Sequence, residues 1–405
     1  MGVKHVIAHL ALLNIFPQKI KTVPKNGGYN KACDKIPPSV IGELIHKSHD
    51  LEYCSTGEMF HNMKVIIVDG TKIIVPRTKE TIKKYGLGSG SVGDAYYPQA
   101  QTCGFFELST GTFEDVKFKH INTPERRIML EHAETNKSST LYIIDAGYNG
   151  MGFIAIIKKE CGKDILMHLK MGGIIGENFR KCRKRSEIIE IDLNLVHLQK
   201  YPEYRHLKGR KIKVRMIRTR GTTRLKSQIL ITTLLNEEQY KWEELSKLYL
   251  QRYKVELAFR HLKSKIGIEK IKKQKLRRIE QLIHSAVLLF NISAMLRNSV
   301  KCRTLMPEKK GEKIYSLKLC TEIVNNFISS VIKKYKGMET KLNLCIKVLK
   351  SCYSICRPWR VFPRICQFPS SVFTRQKTSR KNSELKKIKF LAKEYKKLGT
   401  KYGML

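Results

Sequence analysis

Acidic residues and long apolar runs are both scarce in this 405-residue sequence. It has 35 Asp and Glu against 78 Lys and Arg, which gives a formal net charge of +43. The longest apolar runs, near residues 5–16 and 284–296, are broken by His or Asn, so none reaches the ~18 residues that a membrane span needs. A chain this basic repels itself unless a polyanion neutralises it. We therefore expect a nucleic-acid partner and no membrane, although an AT-rich genome would explain part of the Lys excess.

Paired cysteine motifs are missing as well. The eleven cysteines are scattered, and no Ala-x-Ala cleavage site follows the apolar run near the N-terminus. We expect reduced thiols in a cytoplasmic protein that associates with the nucleoid when it binds DNA. The tightest group lacks the C-x2-C pairs and the nearby His of a structural zinc site, so packed free thiols are favoured over a metal role. Its members are Cys345, Cys352, Cys356 and Cys366.

Composition and hydrophobic period divide the chain into five regions. They are a small N-terminal region with DNA binding as one interpretation (1–60), the first part of an α/β domain (61–160), a β-rich insertion (161–235), the second part of that domain (236–300), and a basic helical C-terminal region (301–405).

Alternating strand and helix signals in residues 61–160 indicate an α/β domain. The run Val65–Val68 stops at Asp69-Gly70 and the run Ile73–Val75 stops at Pro76, which predicts a hairpin that turns at Asp69. Further along, the pattern predicts strands near 102–120, a helix near 124–134 and a buried strand over 141–144 that ends at Asp145.

A glycine-rich segment, Gly88 to Gly93, matches the G-x-G-x-x-G pattern of dinucleotide sites. That pattern needs a preceding strand, and Thr81–Leu87 does not resemble one. We interpret the segment as a flexible loop.

The insertion combines predicted strands with a basic cluster. Its clearest strands are Ile212–Ile217 and Gln228–Thr233. The cluster either follows a DNA backbone or is a solvated loop, and the sequence favours neither. It contains Arg180, Lys181, Arg183, Lys184 and Arg185.

After the insertion, one long helix is predicted to begin at an Asn236 cap and to run past Lys263. Tyr249, Arg252, Glu256 and Lys263 have the spacing Y-x2-R-x3-E-x6-K. At about 100° per residue, all four fall on one face within an arc of about 60°. A carboxylate with two cations and a phenol suits a metal site that binds phosphate. The alternative is a row of ordinary intrahelical ion pairs.

Asp69 and Asp145 strengthen the first interpretation because each is predicted to follow a buried strand, where sites gather in α/β sheets. With Glu256 they provide the hard oxygen ligands that two Mg²⁺ or Mn²⁺ ions need. Alone, Asp69 would be a turn residue and Asp145 a helix cap. Other acids remain as less favoured members of the set: Asp94, Glu114 and Asp115.

These motifs resemble those of IS4 family transposases. The resemblance rests on Asp69-Gly70-Thr71, on Asp145-Ala146-Gly147-Tyr148 and on the segment from Leu248 to Lys263. It implies an RNase H-like catalytic domain, a mixed sheet flanked by helices with a β-rich insertion. It also implies that Asp69, Asp145 and Glu256 bind two metal ions, while Tyr249, Arg252 and Lys263 bind phosphates at the transposon ends.

The resemblance further implies cut-and-paste transposition. The partners would be double-stranded DNA, as terminal inverted repeats and as target, and a second copy of the chain in a homodimer. Two alternatives stay open: a DNA-binding remnant without catalysis, and a metal-dependent nuclease that cuts without joining.

Overall fold

The computed structural model describes residues 31, 33–50, 59–90, 93–169, 184–219, 228–272, 275–302, 313–332 and 337–355. Its strands are β1 Lys64–Ile74, β2 Leu87–Gly90, β3 Gly93–Glu107, β4 Thr112–Lys119, β5 Thr140–Ile144, β6 Asp164–His168, β7 Ser186–Asp192, β8 Lys211–Arg218, β9 Ile229–Thr232, β10 Lys313–Tyr315 and β11 Tyr353–Ile355. Its α-helices are α1 Pro38–Asp50, α2 Lys79–Tyr85, α3 Glu125–Thr135, α4 Met151–Lys159, α5 Leu195–Leu198, α6 Trp242–Tyr249, α7 Tyr253–His261, α8 Leu276–Cys302, α9 Leu317–Ile332 and α10 Met338–Ser351.

Nine strands form one mixed sheet in the order β2-β3-β1-β5-β6-β9-β8-β7, with β4 beside β3. The β1–β5 and β5–β6 pairs are parallel, and the other pairs are antiparallel. The insertion strands β7, β8 and β9 therefore extend the same sheet instead of forming a separate one. The predicted strands at 212–217 and 228–233 are confirmed as β8 and β9.

Helices cover both faces of this sheet because its central strands are apolar on both sides. On one face, Val65 and Ile67 of β1 pack with residues of α6, α7 and α8. On the other, Ile66 and Val68 pack with residues of α3 and α4. The expected fold, a mixed sheet flanked by helices, is confirmed, and the helix predicted at 124–134 is α3.

The predicted hairpin at Asp69-Gly70 is wrong. β1 continues through both residues to Ile74, because its antiparallel ladder with β3 is unbroken there and pairs Asp69 with Gly104. Asp-Gly favours a tight turn only where no neighbouring strand offers a continuous ladder. Asp69 thus lies within a strand, and Ile73 belongs to the same strand as Val68.

The long helix predicted to run past Lys263 is present, but it begins at Trp242 instead of after Asn236 and changes pitch along its length. Asn236 caps only a turn, and its side chain accepts hydrogen bonds from the backbone of Glu238 and Gln239 at 3.0 Å. The helical segment begins at Trp242, tightens to a 3₁₀ turn over Leu250–Arg252 and widens to a π turn over Leu262–Ile266. Local changes of helical pitch leave no mark in a pattern of apolar spacing.

The described residues of the glycine-rich segment, Gly88 to Gly90 and Gly93, lie in two paired strands and not in the flexible loop that we predicted. β2 and the start of β3 pair through Leu87↔Pro98, Ser89↔Asp94 and Gly90↔Gly93. The preceding element is helix α2. The exclusion of a strand–loop–helix dinucleotide motif therefore stands.

The chain divides into two compact units, Met1–Leu305 with Tyr315–Cys352, and Met306–Ile314 with Tyr353–Leu405. The first holds the sheet and the helices. Of the second, residues 313–314 and 353–355 are described, and they lie in a two-stranded ribbon of β10 and β11. The region predicted as helical from residue 301 contains α9 and α10, and everything after 355 lies outside the described residues.

One described helix, over Leu276–Val300, is long and apolar enough to cross a membrane by length and composition. Half of its most apolar window is buried inside the protein. Ile279, Ile283, Val287 and Phe290 belong to the core that covers the sheet. This helix, α8, is therefore a core helix, as the broken run at 284–296 indicated.

Candidate active site

Asp69 and Asp145 lie side by side on one face of the sheet. β1 and β5 are parallel, and their register pairs Ile67 with Ile143. Two residues further along each strand are Asp69 and Asp145, and a step of two keeps a side chain on the same face. Asp145 follows the last residue of β5 in extended conformation, with φ −81° and ψ 166°. The register therefore places both acids on the same face, at the same end of neighbouring strands.

Glu256 reaches the same face from helix α7. One turn after Glu256, the ring of Phe259 packs over Gly104, which is the ladder partner of Asp69. A Cβ at Gly104 would lie 2.6 Å from Phe259 Cζ, so the absence of a side chain at this position lets α7 approach the sheet. The close approach of α7 sets the position of Glu256 beside Asp69.

Arg252 is the shared counter-ion of the three acids. Its guanidinium donates a 2.6 Å hydrogen bond to Glu256 Oε1. Burial opposes its charge, but Asp145, Tyr249 and Glu256 more than compensate and raise the pKa of Arg252. Arg252 also interacts electrostatically with Asp69. The side chains of Asp69, Asp145 and Glu256 therefore surround one cation.

Asp69 is the acid whose ionisation this environment opposes. Burial raises the pKa of Asp69 to about 6, and the negative charges of Glu256 and Glu125 add to that rise. The positive charge of Arg252 acts in the opposite direction without cancelling it. A further cation close to Asp69 would restore its ionised form at lower pH.

Tyr249 and His168 complete this side of the site. Burial raises the pKa of Tyr249 to about 12, and Arg252 and the backbone of His168 act in the opposite direction without cancelling this rise. His168 ends β6 beside Asp145, and burial lowers its pKa. Sequence reasoning missed His168, because its nearness to Asp145 depends on the β5–β6 register.

Glu125 is a fourth acid near the site that the sequence did not single out. It opens α3, and its Oε1 accepts a 2.9 Å hydrogen bond from Gln101. A Cβ at Gly70 would lie 2.1 Å from that oxygen. Gly70 is therefore required for space, because only a residue without a side chain leaves room for the Glu125 carboxylate next to Asp69.

Lys263 lies further along β1. It occupies the π turn that follows α7, where its Nζ donates a 2.6 Å hydrogen bond to the carbonyl oxygen of Lys72. Glu269 is 3.3 Å from the same Nζ. β5 pairs with β1 only as far as Ile67, and beyond that point residues of the 262–269 segment contact β1. π turns of this kind are frequent at functional sites.

The basic cluster of the insertion is described only in part. Arg180, Lys181 and Arg183 lie outside the described residues. Lys184 is 3.1 Å from Glu187, and its side chain is 65% exposed. The guanidinium of Arg185 lies 4.9 Å from the ring centre of Trp242 at the start of α6.

The three acids fit a hard divalent cation by their chemistry. Each offers carboxylate oxygens, which Mg²⁺ and Mn²⁺ prefer, and the buried Asp69 gains from added positive charge. Within the described part of the chain, a tighter group exists elsewhere: ligand atoms of His49, Glu107 and Glu114 lie within 4.8 Å of one another. The acids around Arg252 do not form a group of that tightness.

The His49 group is already neutralised by protein side chains. His49 Nε2 lies 2.7 Å from Glu107, and Lys64 Nζ lies 3.0 Å from Glu114. His132 also faces Glu114, at 3.5 Å. Burial alone would raise the pKa of Glu114, but the hydrogen bond from His132 and the positive charge of Lys64 lower it to about 2. We interpret this group as a network that fixes α1 to the sheet.

The other acids that the sequence left open lie away from Arg252. Glu114 belongs to the His49 group, Asp115 is 2.7 Å from Lys117, and Asp94 accepts a 3.3 Å hydrogen bond from Ser89 in the hairpin. None of the three occurs among the charges that act on Asp69 or Arg252.

The transposase DDE domain family matches residues 61–292, more than half of the chain. The chain belongs to the DDE transposase family. The resemblance drawn from the Y-x2-R-x3-E-x6-K motif is confirmed, and with it the RNase H-like fold. Members of this family generally use a divalent metal ion.

One curated protein and one solved structure are similar to this chain. The chain is 20% identical over 251 residues to transposase InsG for insertion sequence element IS4 from Escherichia coli strain K12, covering 59% of this chain and 55% of that protein. The matched region therefore spans about half the length of the curated relative. A solved structure of the piggyBac transposase synaptic complex with hairpin DNA superposes with a TM-score of 0.42, at 11% identity, over 78% of this chain and 64% of the other.

Proposed function

We propose that this chain is the transposase of an IS4-type insertion sequence, which nicks DNA at the ends of the element and joins the freed 3′-OH to target DNA. The observation that carries the proposal is the meeting of Asp69, Asp145 and Glu256 around Arg252 on one face of the sheet. No serine or cysteine nucleophile is invoked, because water and then a DNA hydroxyl attack phosphorus.

In this proposal Asp69, Asp145 and Glu256 bind two Mg²⁺ or Mn²⁺ ions. When bound, the metal supplies activated water and stabilises charge on the phosphoryl oxygens. Glu125 stays hydrogen-bonded to Gln101 and adds negative charge beside Asp69. His168 and the hydroxyl of Tyr249 hold the Arg252 side of the site in place.

Arg252 has two roles, one before and one after metal and DNA bind. It neutralises the acids while they lack other cations, and its guanidinium binds a DNA phosphate once their charge is satisfied. Tyr249 and Lys263 bind phosphates next to the cleaved bond. The basic cluster of the insertion, Arg180, Lys181, Arg183, Lys184 and Arg185, follows the DNA backbone further away.

The partners in this proposal are the terminal inverted repeats, the target DNA and a second copy of the chain, because two ends must be brought together. The location that follows is the cytoplasm, on the nucleoid when DNA is bound.

The decisive experiment incubates purified full-length protein with linear DNA that carries the element's ends, in Mn²⁺. We expect nicking and strand transfer. Glu256→Gln and Asp145→Ala should bind the ends normally but nick about a thousandfold more slowly, because metal assistance is worth several kcal/mol. Normal nicking by Glu256→Gln would contradict the metal assignment. Cutting without joining would indicate a nuclease, and binding alone would indicate a remnant without catalysis.

A further inference from the structure

An aromatic pair is exposed on the hairpin formed by β2 and the start of β3. Tyr96 is 68% exposed and Tyr97 is 52% exposed. Their rings meet edge to face, with centroids 4.9 Å apart. Adjacent exposed aromatic rings form an apolar patch that commonly marks a binding surface.

Arg77 is tied to this pair. Its guanidinium lies 4.6 Å from the centre of the Tyr96 ring, and it donates a hydrogen bond to the carbonyl oxygen of Tyr96. Lys79 and Lys83 of the adjoining helix α2 are exposed as well. A planar cation held on an aromatic ring suits recognition of nucleic-acid backbone and bases.

The hairpin continues the strand that lies next to the active site. Gly104 of β3 pairs with Asp69, and Tyr96 precedes Gly104 by eight residues. Tyr96 and Tyr97 lie where β3 has two extra residues against β2, between Asp94 and Pro98, and this bulge lets both rings meet instead of pointing to opposite faces. Pro98 precedes Gly104 by six residues, or about 20 Å at ~3.3 Å per residue, so Tyr96 in the bulge lies roughly 20–25 Å from Asp69.

Cations mark the path between the two places. Arg252 lies at Asp69, Lys263 lies at Lys72 three residues further along β1, and Arg77 lies beyond the end of β1 at Tyr96. Arg252 and Lys263 each face a carboxylate, Glu256 and Glu269. The exposed cations beside the hairpin are what favour a polyanion over a globular protein partner, and they are Arg77, Lys79 and Lys83.

We propose that the β2–β3 hairpin is a second DNA contact of the site, which binds the duplex through Tyr96, Tyr97 and Arg77. Each base pair advances the duplex about 3.4 Å, so the contact falls about seven base pairs from the cleaved phosphate. The inference rests on the proposed function, because it takes a DNA strand at Asp69 as its origin.

The test measures binding of end duplexes by the full chain and by Tyr96→Ala/Tyr97→Ala. On duplexes that extend 15 or so base pairs to both sides of the cleavage site, we expect the double variant to bind about tenfold more weakly. One series is then trimmed from the element side and another from the flanking side. When about five base pairs remain on the side that meets the hairpin, wild type and variant should bind equally.

Matched variants distinguish the contribution of the aromatic rings to DNA binding from that of their hydroxyl groups and from a general loss of folding. Tyr96→Phe/Tyr97→Phe should retain most of the binding, and Tyr353→Ala, an exposed tyrosine in the other compact unit, should bind like wild type. Arg77→Ala should lower the magnitude of the salt slope by about one phosphate contact. Unchanged melting temperatures would show that each variant is folded.

If wild type and the double alanine variant bind every duplex equally, the inference is overturned. If the same preparations still nick DNA, the proposed function is upheld. A loss that does not depend on duplex length would overturn it too. A double variant that binds DNA normally but changes from dimer to monomer in ultracentrifugation would assign the surface to a protein contact instead. Failure of wild type to bind the ends at all would overturn both proposals.

Discussion

If Asp69 is a metal ligand, as proposed, metal binding depends on pH. Its pKa of about 6 means that below this pH a metal ion must displace a proton from the carboxyl group. We expect the affinity for Mn²⁺ to fall by up to about tenfold per pH unit below pH 6, and to change little above pH 7. Calorimetric titration from pH 5 to pH 8 measures this. A flat profile would mean that Asp69 is not a ligand.

The same group predicts how stability of the metal-free chain responds to pH. The pKa of Asp69 is higher in the fold than its ordinary value of 3.8, so between about pH 4 and pH 6 the folded chain holds more protons than the unfolded chain. This contribution to the free energy of unfolding therefore decreases as pH rises through that window.

Asp69→Asn removes the buried charge, and with it the decrease in the free energy of unfolding between about pH 4 and pH 6. We expect the variant to be more stable than wild type at pH 8 in EDTA and to gain little at pH 4. Urea unfolding at both values checks the sign. Asp94→Asn, at an exposed position, serves as the control and should show no such difference.

Among the elements, α7 depends on a glycine in the neighbouring strand. Gly104→Ala would put a Cβ 2.6 Å from Phe259 Cζ and 2.8 Å from Phe113 Cε1. We expect a loss of about 1–3 kcal/mol in stability from overpacking and a larger proportional loss of nicking, because α7 and Glu256 shift away from Asp69.

Shortening the opposing side chain tests that explanation. Phe259→Leu in the Gly104→Ala background should recover part of the nicking rate. If the second substitution only adds to the damage, the contact between β3 and α7 does not set the position of Glu256. DNA binding by each variant serves as the control for folding.

Much of the fold was predictable because apolar runs mark buried strands. β5, β8, β9 and α3 were located from the sequence to within a few residues. The turn signal at Asp69-Gly70 failed because a ladder with β3 overrides it. The changes of helical pitch on either side of α7 were not predictable, since the spacing of apolar residues does not report pitch.

Some residues of the candidate site were predictable from the sequence and others were not. The quartet from Tyr249 to Lys263 is recognisable from its spacing along the chain. Glu125 and His168 are not, because only strand register and the packing of α3 bring them near Asp69 and Asp145. Contacts between residues far apart in sequence leave no periodic trace.

For the whole molecule, the net charge of +43 predicts strongly salt-dependent DNA binding. If Arg77, Lys184, Arg185, Arg252 and Lys263 each neutralise one phosphate, the slope of log K against log salt is about −4.5, at ~0.9 per contact. Filter binding from 50 to 300 mM or so in salt measures it. Lys263→Ala should reduce the magnitude by about one, and a slope near zero would contradict an electrostatic interface.

The insertion strands share hydrogen bonds with the strands of the site. β9 pairs with β6, and β6 pairs with β5, which leads directly to Asp145. A force on β7 or β8 is therefore transmitted to β5 through the backbone hydrogen bonds of β9 and β6. Because the insertion and the candidate site belong to one sheet, DNA bound at the outer strands in the proposed function would be kept in alignment with Asp69 and Asp145.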